Sequence, residues 1–191
     1  MTGNYLGDPL AFLVQTLFGL YILAVMLRFL LQLVRADFYN PITQLLVKVT
    51  HPPLAPLRRV LPSIGRADTA SIVLMVALQF AALALVLAIA GRPINPAFLL
   101  VYSVAELVNL LLNVFLFAVL IRVVISWISP GSYHPGIAVL DSLTEPVVAP
   151  ARRLIPPMGG LDLSPMVVLI GIQLLKMLLI PPIRQLAFSV G

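Results

Sequence analysis

The chain has 191 residues, 61% of them apolar and only 10% charged, with a mean hydropathy of +1.08, a balance that no single water-soluble core could hide. Twelve Lys and Arg against seven Asp and Glu leave a formal charge of +5, an excess that suits topology control, a membrane surface or nucleic acid. Cysteine is absent, which excludes disulfides, thiolate metal sites and a cysteine nucleophile.

The first residues, MTGNYLGDPL, lack the basic start and the small-residue cleavage site of a signal peptide, so the first apolar run is expected to be retained. A spanning helix needs about 20 mostly apolar residues to cross roughly 30 Å of hydrocarbon. Four stretches qualify: Leu10 to Val34, Thr69 to Ala90, Pro96 to Ile128 and Pro165 to Phe188. The third is longer than one perpendicular crossing, and part of Ala97 to Ala105 is expected at the interface or in a tilted extension. Arg35, Lys48, Arg58, Arg59 and Arg66 fall in the first connection and Arg152 and Arg153 in the third, against Arg92 alone in the second. By the positive-inside rule both long connections are expected to be cytoplasmic and both termini to face outward.

Sliding the chain by 94 positions aligns Arg28–Gln79 with Arg122–Gln173 without a gap, and 15 of the 52 pairs are identical. That is a duplication, with a first repeat over residues 1–91 and a second over 92–191. Each unit holds two crossings, so the copies enter the membrane in the same direction. The shared residues lie mostly in the connections, which are either the working part or simply fold the same way twice.

Within each connection a short amphipathic helix is expected, since Ile42, Leu45, Leu46 and Val49, and then Ile137, Leu140 and Leu143, fall at helical spacing. Each starts at a proline and should stop before Pro52 or Pro146 and lie flat at the interface. Extended or tightly turned Pro-rich backbone should follow through HPPLAPLRRVLP and EPVVAPARRLIP. The chain then turns at Gly65 or Gly159, and Ser164 is the expected cap of the last helix, with Pro165 at its first position. The fold class is therefore an all-α membrane protein, with four transmembrane helices arranged as two parallel two-helix repeats.

The second copy reads RVVISW from Arg122 to Trp127, followed by LTEPVVAPARRLIPPMGGLDLSPMVVLIGIQLL. These residues resemble the repeat that defines the YggT family of small bacterial inner-membrane proteins, and the first copy follows the pattern more loosely. The first copy departs at Leu33, in the tryptophan position, at His51, in the glutamate position, and at Arg66, in the place of the second glycine. The resemblance implies an integral membrane protein linked to tolerance of osmotic or ionic stress. For plastid and cyanobacterial relatives it implies cytochrome b6 assembly, nucleoid distribution or division. It favours an accessory or assembly role over an enzymatic one.

Three groups of residues are candidates for function. The pairs Arg58–Arg59 and Arg152–Arg153 lie beside membrane re-entry, where they contact lipid phosphates or a partner or else simply anchor topology; each is worth about 1 kcal/mol near an anionic leaflet. Arg28 and Arg122 stand near helix ends and either snorkel or pair with Asp68 and Asp162, whose alternative role is that of helix-start acids. Glu106 and Lys176 lie at matching depths on antiparallel helices and could form an intramembrane ion pair private to the second copy, where the first has Phe12 and Ala82; alternatively both sit in the outer interface. Asn109 and Asn113 extend the polar stripe from Glu106, and Gln79 and Gln173 repeat between copies, a pattern that glues helices. His51 and His134 have no neighbouring ligand set, and Ser, His and acid occur without a constellation, so no catalytic residue, metal site or cofactor is expected. The expected partners are the phospholipid membrane and a protein, either another chain or a second copy. Nucleic acid, which would show as salt-dependent binding to the basic connections, is not expected. The rival to the accessory role is a small ion or solute transporter or channel component, because parallel repeats and intramembrane polar residues also occur there.

Overall fold

A computed structural model describes residues 6–129, 131, 133–154 and 162–190. Its six helices are α1 (Gly7–Leu33), α2 (Pro41–Val60), α3 (Thr69–Ile89), α4 (Pro96–Ile128), α5 (Pro135–Leu154) and α6 (Ser164–Val190). The helices α1, α3, α4 and α6 are long and apolar enough to cross a membrane. Long side chains such as Leu13, Leu17 and Leu20 on α1, and Ile170, Leu174 and Leu178 on α6, point away from the protein. In water they would form an aggregating surface; hydrocarbon covers them.

The bundle is two copies of one span–short helix–span unit: α1, α2, α3 and then α4, α5, α6. Ile22, Val25 and Leu30 of α1 pack with Leu74 and Met75 of α3, Val114 and Ala118 of α4, and Leu54 and Leu143 of α2 and α5. Among the described residues, the last helix, α6, packs only on α4 and α5. The shorter helices α2 and α5 touch each other, and the Asn40 amide donates to the Pro135 carbonyl at 2.8 Å. Asn40 also accepts from the Ile42 N–H, and His134 at the matching position accepts from the Gly136 N–H, so both short helices begin with a capping side chain.

One expectation is corrected. The short helices do not stop before Pro52 and Pro146; α2 runs on through Pro52, Pro53 and Pro56, and α5 through Pro146 and Pro150. A helical proline loses one hydrogen bond, yet its fixed φ is itself helical. The Val49 carbonyl, left without a donor by Pro53, takes the Tyr21 hydroxyl at 3.3 Å. Burial of Thr50 and Leu54 on one face of α2, and of Thr144 and Val148 on α5, outweighs the remaining loss. The last helix begins as expected within a residue, but Asp162 rather than Ser164 supplies the capping oxygen, accepting from the Ser164 N–H at 2.9 Å.

Between α2 and α3 the chain reverses at Gly65, as expected, where φ is +60° and Ile64 and Ala67 exchange two backbone hydrogen bonds. The matching turn at Gly159 lies outside the described residues. No atom crowds the place of a Cβ at Gly65 or at Gly19 within α1. Backbone conformation alone therefore decides two substitutions. Gly65→Ala should destabilise by roughly 1 kcal/mol through the left-handed turn, whereas Gly19→Ala should stabilise by about 0.5–1 kcal/mol. Unfolding curves of the purified protein in detergent would show opposite signs.

Candidate functional site

On the side of the bundle that carries α2 and α5, each repeat is held by two arginine contacts. Within the first repeat, Arg28 of α1 donates to the Thr50 hydroxyl at 2.8 Å and to the Val47 carbonyl at 3.3 Å. From α2, Arg58 donates to Asp68, at the start of α3, through Nε at 3.1 Å and Nη2 at 2.5 Å, and it also reaches Gln32 of α1. Ser71 adds a 2.6 Å hydrogen bond to the same carboxylate. In the second repeat, Arg122 of α4 pairs with Asp141 of α5, the residue that replaces Val47. Arg152 of α5 pairs with Asp162 at 3.1 Å and with Glu145 at 3.2 Å.

The aspartates are thus held by Arg58 and Arg152, not by Arg28 and Arg122, which correct two expected pairings. Arg28 and Arg122 turn instead to the middle helix of their own repeat, Arg28 to Val47 and Thr50 of α2 and Arg122 to Asp141 of α5. The copies differ in exposure: Asp68 is 1% accessible and Asp162 34%. Burial pushes the Asp68 carboxyl up, but hydrogen bonds from Arg58 and Ser71 and the charges of Arg58 and Arg28 outweigh it and hold its pKa below the ordinary value. At Asp162 burial likewise opposes, and bonds from Ser164 and Arg152 prevail, again lowering the pKa.

The second arginines, Arg59 and Arg153, have no ion-pair partner among the described residues and are exposed, as are Arg35, Lys48 and Arg66 on the same side. Above them, a largely apolar cavity of about 680 Å³ opens between α1, α4 and α5, lined by Leu27, Val114, Ile121, Ile137 and Leu140 among others.

A second polar group lies between α4 and α6, toward the α3–α4 connection. Glu106 accepts from Arg184 at 2.7 Å, and Lys176 donates to Asn113 at 2.6 Å. The expected Glu106–Lys176 pair is thereby replaced. Helical side chains lean toward the start of their own helix. On α6 that lean carries Lys176 away from Glu106, to Asn113, and brings Arg184 down to Glu106. Arg184, missed in the sequence, also lies 5.7 Å from the Tyr102 ring centre. Its signal was its helical spacing from Lys176, two turns away. Among the described residues, no three His, Asp or Glu side chains gather to hold a metal.

Two tandem span–helix–span units, riveted by arginines on one side, define a class of multi-pass helical membrane protein. The sequence profile of the CCB3/YggT family matches residues 7–89 and again 101–183, and the chain belongs to that family. It is 45% identical over 177 residues to an uncharacterized protein of Pseudomonas aeruginosa, covering 92% of this chain and 90% of that one. An uncharacterized protein of Vibrio alginolyticus is 41% identical over 175 residues, 90% of this chain and 94% of its own. The uncharacterized protein YggT of Escherichia coli K12 is 36% identical over 173 residues, covering 89% and 88%. No solved structure matches this chain.

Two outcomes follow from these contacts. Because the folded-state pKa values of Asp68 and Asp162 are depressed, their stabilisation is complete above the unfolded carboxylate value near ~3.9 and is lost as pH falls through the folded values. Melting temperature in detergent should therefore drop on acidification; Asp68→Asn should begin roughly 1–3 kcal/mol less stable and lose less on acidification. In cells, Glu106→Arg and Arg184→Glu should each impair accumulation and their combination restore it; rescue of Glu106→Lys by Lys176→Glu instead would contradict the observed pairing.

Proposed function

We propose that this chain is a non-enzymatic accessory protein of the bacterial inner membrane that organises other membrane complexes and contributes to tolerance of osmotic or ionic stress. It sits with α2 and α5 at the cytoplasmic face, as amphipathic helices on the leaflet surface, and with both termini periplasmic. Basic residues are concentrated on the α2 and α5 side, and of the two arginines farther along the chain's other side, Arg184 is neutralised by Glu106. The observation that carries the reading is the division of labour within each arginine pair. Arg58 and Arg152 are spent on aspartates, which leaves Arg59 and Arg153 free to meet lipid phosphates or an acidic partner.

A specific observation favours a second reading. Charged and amide side chains run along the α4–α6 seam inside two spans, as they do along transport pathways. The two are separated in liposomes: ion flux abolished by Glu106→Gln or Lys176→Gln establishes transport, and no flux with co-purifying protein partners establishes the accessory role.

The lipid contact has its own measurement. With about 1 kcal/mol for each basic group near an anionic surface, the double variant Arg59→Gln, Arg153→Gln should lower co-purifying phosphatidylglycerol roughly tenfold or more without unfolding the protein. Unchanged enrichment would remove the headgroup role. The variants Arg58→Gln and Arg152→Gln should lower stability instead.

A further inference from the structure

The α4–α6 seam holds two cations, Lys176 and Arg184, against one carboxylate, Glu106, and so carries one positive charge in excess. Arg184 takes the carboxylate. Lys176 is left with the neutral Asn113 oxygen, which engages one of its three ammonium protons. It lies 12 residues into α6, about 18 Å along a helix of 27 residues, flanked by the outward-facing Leu174, Leu175 and Leu178. A cation so placed requires a counter-charge or further acceptors. Arg184 adds an unmet donor, for its Nε is buried with no hydrogen-bond partner. These groups border a common cleft of about 430 Å³, lined by Asn109, Lys176, Met177, Ile180, Pro181 and Arg184.

We propose that this cleft binds a singly charged anion, with the Lys176 ammonium as its principal donor and Arg184 and Asn109 contributing N–H groups. An ammonium with a single neutral acceptor, an excess positive charge and a volume many times the ~30 Å³ share of one water coincide there. Two sources supply that chemistry: a free halide, or the phosphodiester of an anionic lipid entering beside the exposed Met177 and Pro181. The proposal is independent of the loop arginines and of whether anything is transported.

The test is thermal unfolding of the purified full-length protein in neutral detergent. One arm titrates chloride against gluconate at constant ionic strength, and the other titrates phosphatidylglycerol against phosphatidylcholine. A bound anion should raise the melting temperature with a saturating dependence in one of the arms, since a ligand of the folded state stabilises it by mass action. That dependence should vanish in Lys176→Met and persist in the Arg59→Gln, Arg153→Gln double variant. If Lys176→Met does not accumulate, Asn109→Leu is read in its place, with at least a severalfold weakening of the midpoint expected. Saturation in chloride assigns a free ion, and saturation only in phosphatidylglycerol assigns a lipid headgroup. The proposal is overturned if neither arm saturates, or if the dependence survives Lys176→Met. Loss in the loop double variant with retention in Lys176→Met would place the anion on the connections instead.

Discussion

The carboxylates of Asp68 and Asp162 fix the point at which each repeat turns back into the membrane. Each is held by an arginine ten residues earlier, on the helix that precedes the turn, so the end of the short helix and the start of the second span are drawn together. A helix start carries a positive dipole end, which an aspartate there answers; Asp162 also accepts the Ser164 N–H, whereas Asp68 caps no N–H of α3. The arginine then balances the aspartate. From this follow the close seating of α2 on α1 and α3, the approach of α5 to α4 and α6, and the freedom of the neighbouring arginine to face outward.

Duplication has given the two halves the same layout and different environments. The first repeat encloses its contacts: Arg28 and Asp68 are buried, and Arg28 is satisfied by a hydroxyl and a carbonyl. The second opens them, replacing the Val47 carbonyl with the carboxylate of Asp141 and adding Glu145 where the first has His51. A buried charge is costly to disturb, whereas a partly solvated one exchanges partners readily. The second half also owns the α4–α6 polar seam, whose positions in the first half are Phe12, Gly19, Ala82 and Ala90. Chemistry has therefore accumulated in one copy while the other carries the shared core with α4.

The spans were legible because a 20-residue apolar run has few alternatives in water or lipid, and the α4 limits at Pro96 and Ile128 coincide because Asn95 caps its start. The repeat fixed which residues matter in the connections. It could not reveal their partners, since Arg28 and Arg58 both stand within reach of Asp68 in sequence and only packing decides between them. Proline chemistry was read locally and gave shorter helices at Pro52 and Pro146 than burial of Leu54 and Val148 allows. At Glu106, depth was counted from backbone rise alone. Arg184 entered only when the lean of long side chains and the packing of α6 on α4 were in view.

The helix α6 has few neighbours but a close one, since its seam with α4 is the most extensive helix pairing in the bundle. Among the described residues it touches α4 and α5 but none of α1, α2 and α3, and its larger seam is with α4. That seam lies within the second repeat, whereas the contacts between repeats are made by α1, α2 and α3 with α4 and α5, without α6. Its berth on α4 already displays Glu106 and Asn113, so arrival of Arg184 and Lys176 both completes assembly and quenches polar groups that would otherwise face lipid. Displacing α6 would therefore leave a carboxylate and an amide facing hydrocarbon, and that penalty ties the seating of the last span to the polar seam as firmly as to its apolar contacts.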